Sequence, residues 1–403
     1  MESPVAKDFS VRRMVLRLFL IIEIGIILSP ILLSAEDSRW SLPSAKAGGG
    51  NDRRRTFVFI LSADGRRFHS PEIDVIDGKK TFKNVYFPER HFLYLKKTAI
   101  QKRGAFNSLI YYDPASDAPH TDTKIVWVTA RTYKEISLVE TDSTKDPWSV
   151  VRQYVVPRSR VSLIYFGHSL IFSSEASVDA SFSSPSDESS PEAPFGLPQF
   201  VQGLHETGIH YESVSFFSCR MSSLEVLTAL LPYTDYVLGN VYPTSHKSWW
   251  ASYRFLETVQ KSDTAEEVLQ NILEINRLNS EKNLETGRNL RTSHVWNYFR
   301  LAYLNAFNQA LREVWQYLYN TYIREKNFHD LSPLLEHSKL SGNWEKRFIE
   351  GVDLGKLLLN LSKDASAPPS VRVALDFMTT PGKLLGEPFA GREDSGLWGP
   401  LQP

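Results

Sequence analysis

The sequence predicts an α/β fold: a mostly parallel central sheet flanked by helices, with a helical C-terminal extension. Three observations carry this expectation. Short, continuous apolar runs recur up to about residue 240, the pattern of strands buried on both faces. Helical patterns fall between those runs. From about residue 259 the periodicity is helical alone. The chain has 403 residues, 42% of them hydrophobic, enough for a real core in one large domain or two to three ordinary ones. Its 46 Lys+Arg balance 46 Asp+Glu, so it lacks the basic excess of a general nucleic-acid binder. The single cysteine, Cys219, excludes an internal disulfide and a four-cysteine metal site.

Residues 1–35 read as a signal peptide or N-terminal anchor. Lys7, Arg12, Arg13 and Arg17 make a basic flank, Leu18 to Leu33 an apolar run, and Leu33-Ser34-Ala35 a small-residue exit. The run is short for a spanning helix, and Glu23 would be costly at mid-bilayer. Export is therefore expected, to a periplasmic, secreted or membrane-anchored extracytoplasmic location, with membrane contact only through this segment. Residues 36–55 read as a linker. It holds a Gly48-Gly49-Gly50 run and ends in Arg53-Arg54-Arg55, an exposed site for a trypsin-like protease.

A core is expected over 56–258. Its first strand is Thr56 to Leu61, closed by the turn signal Ser62-Ala63-Asp64-Gly65. Lys124 to Thr129, Val161 to Gly167, Val214 to Ser218 and Tyr236 to Gly239 repeat the buried-strand pattern. The aromatic-rich stretch 84–112 holds further strands whose order the pattern leaves open. Short helices are expected at Phe200 to Glu206, with Gly208 as stop, and at Ser222 to Leu231. Residues 259–345 are expected to be helical. Thr264 to Leu278 has Asp263 as candidate N-cap and Glu266 three residues on, with Val268, Leu269, Ile272, Ile275 and Leu278 on one face. The longest helical stretch is read over 294–325, its aromatics serving as core. Residues 346–403 read as a tail, irregular from about Lys363. Between Ser173 and Ser190, nine of 18 residues are serine; the whole segment 173–195 reads as an exposed loop, either plainly solvated or a lid or processing loop.

Two spots could carry chemistry. Gly167-His168-Ser169 follows one buried strand and Ser218-Cys219-Arg220 follows another, and functional sites in open α/β sheets gather at the carboxyl ends of strands. A thiol at a helix N-terminus, next to Arg220, is favoured as thiolate. A histidine beside it could serve as general base and acid. His168 and Cys219 lie 51 positions apart, close to the roughly 50 between His and Cys in caspases. The backbone N–H groups of Ser169 and Cys219 could form an oxyanion hole. The plainer reading makes Cys219 a small buried hydrophobe and His168 a satisfied polar group. No HExxH, phosphate-binding glycine loop or Gly-x-Ser-x-Gly elbow occurs, so neither cofactor nor metal is expected.

The block Ser218-Cys219-Arg220-Met221-Ser222-Ser223-Leu224-Glu225-Val226, followed by Tyr233-Thr234-Asp235-Tyr236-Val237-Leu238-Gly239, resembles the clostripain-like cysteine peptidases. In that family a similar Met-Ser-Ser-Val-Glu-Val helix follows the nucleophile. Phe57 to Asp64 is similar to the family's first strand, and Gly167-His168 to its Gly-His-Gly motif. The resemblance covers about 56–258. It implies a caspase-like fold, a His168–Cys219 dyad, and hydrolysis of protein or peptide substrates through a thioester. The chain departs from the family at Ser169, where the family has Gly, and at Phe217, where it usually has Asp. Residues 240–250 hold no acid but do hold Lys247 and Trp249. Phe217, Lys247 and Trp249 are thus candidate pocket residues, and the family's Arg/Lys preference at P1 is not expected here. The alternative reading is an inactive member of the fold that binds or scaffolds in the cell envelope. The oligomeric state is open.

Overall fold

The computed structural model describes residues 54–63, 69–76, 79–114, 122–138, 146–155, 159–167, 196–218, 221–241, 253–285, 296–325, 327–338, 351–388 and 394–400. They divide into two compact units. One takes in 51–222 and 226–299; the other takes in 223–225 and 300–403.

The first unit is built on an eight-stranded sheet. Its strands are β1 (Thr56–Ala63), β4 (Asn107–Pro114), β5 (Thr123–Val128), β6 (Tyr133–Leu138), β7 (Val161–Phe166), β8 (Tyr211–Phe217), β9 (Thr234–Asn240) and β10 (Trp296–Arg300), in the order β10-β9-β8-β7-β1-β4-β5-β6. Strands β9, β8, β7, β1 and β4 run parallel to their neighbours in that series. The sheet is therefore mostly parallel, as the sequence predicts. A separate antiparallel pair, β2 (His69–Ile76) and β3 (Lys79–Tyr86), precedes helix α1 (Phe87–Gln101).

Strand β1 sits at the centre, and Phe57 through Leu61 are each no more than 1% exposed. Its Phe57, Phe59 and Leu61 share a core with Phe92 and Leu95 of α1, Phe255 and Leu256 of α5 (Phe255–Thr258), and Val268, Leu269 and Ile272 of α6 (Ala265–Glu285). The other face is covered by α2 (Pro147–Tyr154) and α3 (Leu197–Thr207), where Trp148 and Tyr165 both meet Phe200 edge-on. Burial on both faces explains why these strands read as unbroken apolar runs. Gly208 ends α3 at φ 62°, the left-handed cap expected of it, and the helix expected over Ser222 to Leu231 is α4 (Leu224–Leu230).

Four expectations need correction. Lys124 to Thr129 forms β5, but it pairs antiparallel with both β4 and β6. It lies next to the sheet edge, where one-sided cover suffices. The stretch 84–112 does hold strand, the end of β3 and most of β4, but between them lies α1, whose His91, Phe92, Leu95, Thr98 and Ala99 form a buried stripe at helical spacing. Residues 296–300, read as helix, form strand β10 of the sheet. The N-cap of α6 is Thr264, not Asp263. Thr264 Oγ1 accepts from Glu267 N, and Glu267 Oε2 accepts from Thr264 N. Glu266 instead accepts from Tyr298 Oη at 2.8 Å.

In the second unit, α7 (Leu304–Leu318) buries Leu304, Phe307, Leu311, Val314 and Leu318, and continues into a π-helical turn at Tyr319–Arg324. Helix α8 (Phe328–His337) follows. The stretch read as an irregular tail instead forms β11 (Gly351–Asp353), α9 (Leu354–Leu361), α10 (Pro369–Thr379) and β12 (Trp398–Pro400), with β12 antiparallel to β11. Asp353 caps α9: its carboxylate accepts from Lys356 N at 2.9 Å and from Ser395 N at 2.8 Å. Among the described residues no helix is long and apolar enough to cross a membrane. The expectations for residues 1–35, the 36–53 part of the linker, and the serine-rich 173–195 segment lie outside the described residues.

Candidate active site

The neighbouring parallel strands β7 and β8 end together. Their register pairs Ser162 with Ser213 and runs without a break to Phe166 with Phe217. This is a constant offset of 51 positions, the same that separates His168 from Cys219. Paired strands lie about 4.8 Å apart, so the chain leaves toward both candidate residues from adjacent points on one edge of the sheet. His168, Ser169 and Cys219 themselves lie outside the described residues, as do Lys247 and Trp249.

What surrounds these exits is defined. Gly167 is buried, and a Cβ there would stand 2.4 Å from Tyr165 Oη and 2.9 Å from the carbonyl oxygen of Ser62 at the end of β1. Only glycine lets the chain pass between β1 and its own tyrosine at that point. A second close approach fixes the segment after Cys219. Met221 and Ser222 are fully buried, and Ser222 N donates to the carbonyl oxygen of Asn240. A Cβ on Gly239 would come within 2.9 Å of the Met221 backbone and 3.0 Å of Ser222 N. The glycine of the Asp-Tyr-Val-Leu-Gly strand is thus what lets the post-cysteine segment lie on β9.

Phe217, one of the candidate pocket residues, has its ring fully buried, 5.1 Å from Tyr253 and 5.6 Å from Trp296, inside the core shared with α5 and α6. His91 of α1, which the sequence did not single out, is fully buried beneath the same edge, 4.9 Å from Phe166 and 5.3 Å from Tyr253. Its only sequence signal was its place in the helical stripe 91/92/95/98/99.

At the opposite, amino end of the sheet sits an ion cluster. Glu212 accepts from Arg55 Nε at 2.8 Å and from Arg160 Nε at 2.5 Å. Both guanidinium groups also donate to the carbonyl oxygen of Asp263, at 3.0 and 2.7 Å. Arg55 is 2% exposed, so the third residue of the Arg53-Arg54-Arg55 run is not the exposed cleavage point the sequence suggested.

No protein-family model matches the chain, and no curated protein matches it in sequence. Solved structures do. One is an inactive zymogen C11 protease from Parabacteroides distasonis, at TM-score 0.52 and 15% identity, covering 86% of this chain and 91% of that one. Another is a secreted C11 cysteine protease from Bacteroides thetaiotaomicron, at TM-score 0.48 and 11% identity, covering 86% and 93%. The sheet order, the helices on both faces and the helical C-terminal part give this chain the caspase-like fold of the C11, or clostripain-like, cysteine proteases.

Proposed function

We propose that the chain is an exported cysteine peptidase in which Cys219 is the nucleophile and His168 the general base and acid. The observation that supports it is the β7–β8 register, which brings the two strand ends to neighbouring points on the carboxyl edge of a sheet whose fold is that of C11 proteases. In the proposed reaction His168 accepts the thiol proton and the Cys219 sulfur bonds to the substrate carbonyl carbon. The N–H groups of Ser169 and Cys219 hold the resulting oxyanion. The C–N bond then breaks, His168 returns the proton to the departing amine, and water hydrolyses the thioester.

Lys247 and Trp249 remain the proposed pocket residues. With no acid between 240 and 250 and with Phe at 217, neither position at which the resemblance would place a pocket carboxylate holds one, so nothing there favours Arg or Lys at P1. An apolar or acidic P1 side chain fits this composition better.

The test is digestion of a proteome-derived peptide library by the purified chain, in parallel with Cys219→Ala and His168→Ala. Cleavages lost in both variants, with an apolar or acidic P1 pattern, are the expected result. A strong Arg/Lys pattern would overturn the pocket assignment and keep the peptidase. Absence of dyad-dependent cleavage would move the assignment to the inactive, binding member of the fold.

A further inference from the structure

An open groove of about 550 Å³ runs between the first turn of α2 and one side of α3. It belongs to the helix layer on a face of the sheet, and none of its lining residues stands at a strand end. Asp146, Pro147 and Trp148 form one wall. Pro198, Gln202 and Glu206, four residues apart along α3, form the other. Gly203 fixes the floor. A Cβ there would collide with the Trp148 indole, so glycine lets that ring lie directly on the α3 backbone. Trp148 is 3% exposed and meets the fully buried Phe200 edge-on at 5.1 Å. The floor is thus part of the packed layer and is formed before any ligand arrives.

The charge on the groove has one sign. Its two acidic side chains are Asp146 and Glu206, and among the described residues no Lys or Arg lines it. Asp146 is half-buried; its Oδ1 accepts from Trp148 N at 3.2 Å and its Oδ2 from Ser149 N at 2.8 Å. Each oxygen has a second lone pair left to offer. Glu206 is exposed and accepts from Gln202 Nε2 at 3.0 Å. The sequence on that side supplies no counter-charge: between 161 and 219 there are seven Asp/Glu and no Lys or Arg. From Pro198 to Glu206 the helix rises about 12 Å, the reach of about four residues of extended chain.

We propose that the groove between α2 and α3 docks a short extended peptide segment bearing Arg or Lys. The aliphatic stems lie along Pro147 and Pro198, and the cationic heads meet the carboxylates of Asp146 and Glu206. An acidic segment would set like charges against each other in the same space. The inference does not depend on the chain being an active peptidase.

The experiment uses the full chain carrying Cys219→Ala, which keeps the probe from being consumed. Fluorescence anisotropy measures binding of a fluorescein-labelled octapeptide of alternating alanine and arginine, and of its counterpart with glutamate at every arginine. The arginine peptide is expected to bind at least about tenfold more tightly, and to weaken as NaCl rises from about 50 to about 300 mM. Asp146→Asn with Glu206→Gln keeps the shape and the helix cap, since Asn also caps. It is expected to weaken the arginine peptide at least about fivefold. Gln202→Trp fills the groove without changing charge and is expected to do the same. No binding of the arginine peptide, equal affinity for the two peptides, or unchanged affinity in the double variant would overturn the proposal. So would unchanged affinity in a folded Gln202→Trp chain, which would put the binding elsewhere. Should that variant fail to fold, the double variant decides alone.

Discussion

Phe166 and Phe217 are register partners on adjacent parallel strands, and each is the last residue of its strand. One stands two residues before the candidate base, the other two residues before the candidate nucleophile. The 51 positions between Phe166 and Phe217, which look arbitrary along the chain, are a lateral spacing of one strand in the sheet.

Gly167, between Phe166 and His168, has no room for a methyl group. Gly167→Ala is expected to lower stability by about 1–3 kcal/mol, the usual range for overpacking. Because its clashes are with Tyr165 and the Ser62 backbone, it is also expected to cut peptide hydrolysis more than tenfold. Urea denaturation and the library assay check both. An alanine variant with full stability would mean that the strand end gives way easily.

Phe217→Asp restores the residue that clostripain-like sequences usually carry. With Tyr253 and Trp296 packed on the ring, a carboxylate there has no described cation to meet. The expected cost is more than about 3 kcal/mol, as for other uncompensated buried charges. A well-folded variant that gains cleavage after Arg or Lys would instead put position 217 in the substrate pocket.

Asp353 gives the second unit an unusual pH response. Burial, reinforced by the charge of Asp394 and opposed by hydrogen bonds from Lys356 and Ser395, raises its carboxyl to about 6. A raised carboxylate favours the folded state while it is protonated. That stabilisation is complete below the ordinary aspartate range and is lost as pH rises through 6. The shift corresponds to roughly 3 kcal/mol. Urea melts between pH 4 and 7.5 are expected to lose this component with rising pH in the parent chain and not in Asp353→Asn; identical pH profiles would remove the assignment.

Thr264→Ala is expected to cost about 1 kcal/mol, the usual value of an N-cap, because Thr264 and Glu267 close the first turn of α6. Thermal melts of the variant give the measurement, and an unchanged midpoint would return the cap to Asp263.

Much of the sheet was legible because β1, β7, β8 and β9 are buried on both faces and carry continuous apolar runs. Strand β5 carries such a run as well, yet periodicity contains no direction, so its antiparallel pairing could not be read. Strand β10 reads as helix in the sequence because Trp296, Phe299, Tyr303 and Phe307 fall at spacings of three and four. The first two belong to a strand and the last to a helix, and burial of Trp296, Asn297, Tyr298 and Phe299 alike erased the alternation that would have separated them. The helices at 354–361 and 369–379 were hidden by nearby Gly and Pro, although Leu354, Leu357, Leu358 and Leu361 keep helical spacing. At the candidate site the sequence singled out Gly167 as part of a motif. That Gly167 and Gly239 are sterically required came only from the atoms facing them: Tyr165 and the Ser62 backbone for Gly167, and the Met221–Ser222 backbone for Gly239.

The β7–β8 ladder has a topological result. Residues 168–195 lie in the connection that runs from β7 through α3 to β8, two strands already bonded side by side, and Trp148 of α2, before that stretch, packs on Phe200 of α3, after it. A break anywhere in that stretch severs the covalent chain without removing one of these contacts. The protein could thus persist as two polypeptides, an amino-terminal piece ending beyond β7 and a carboxyl-terminal piece beginning before α3, held as one molecule by the sheet.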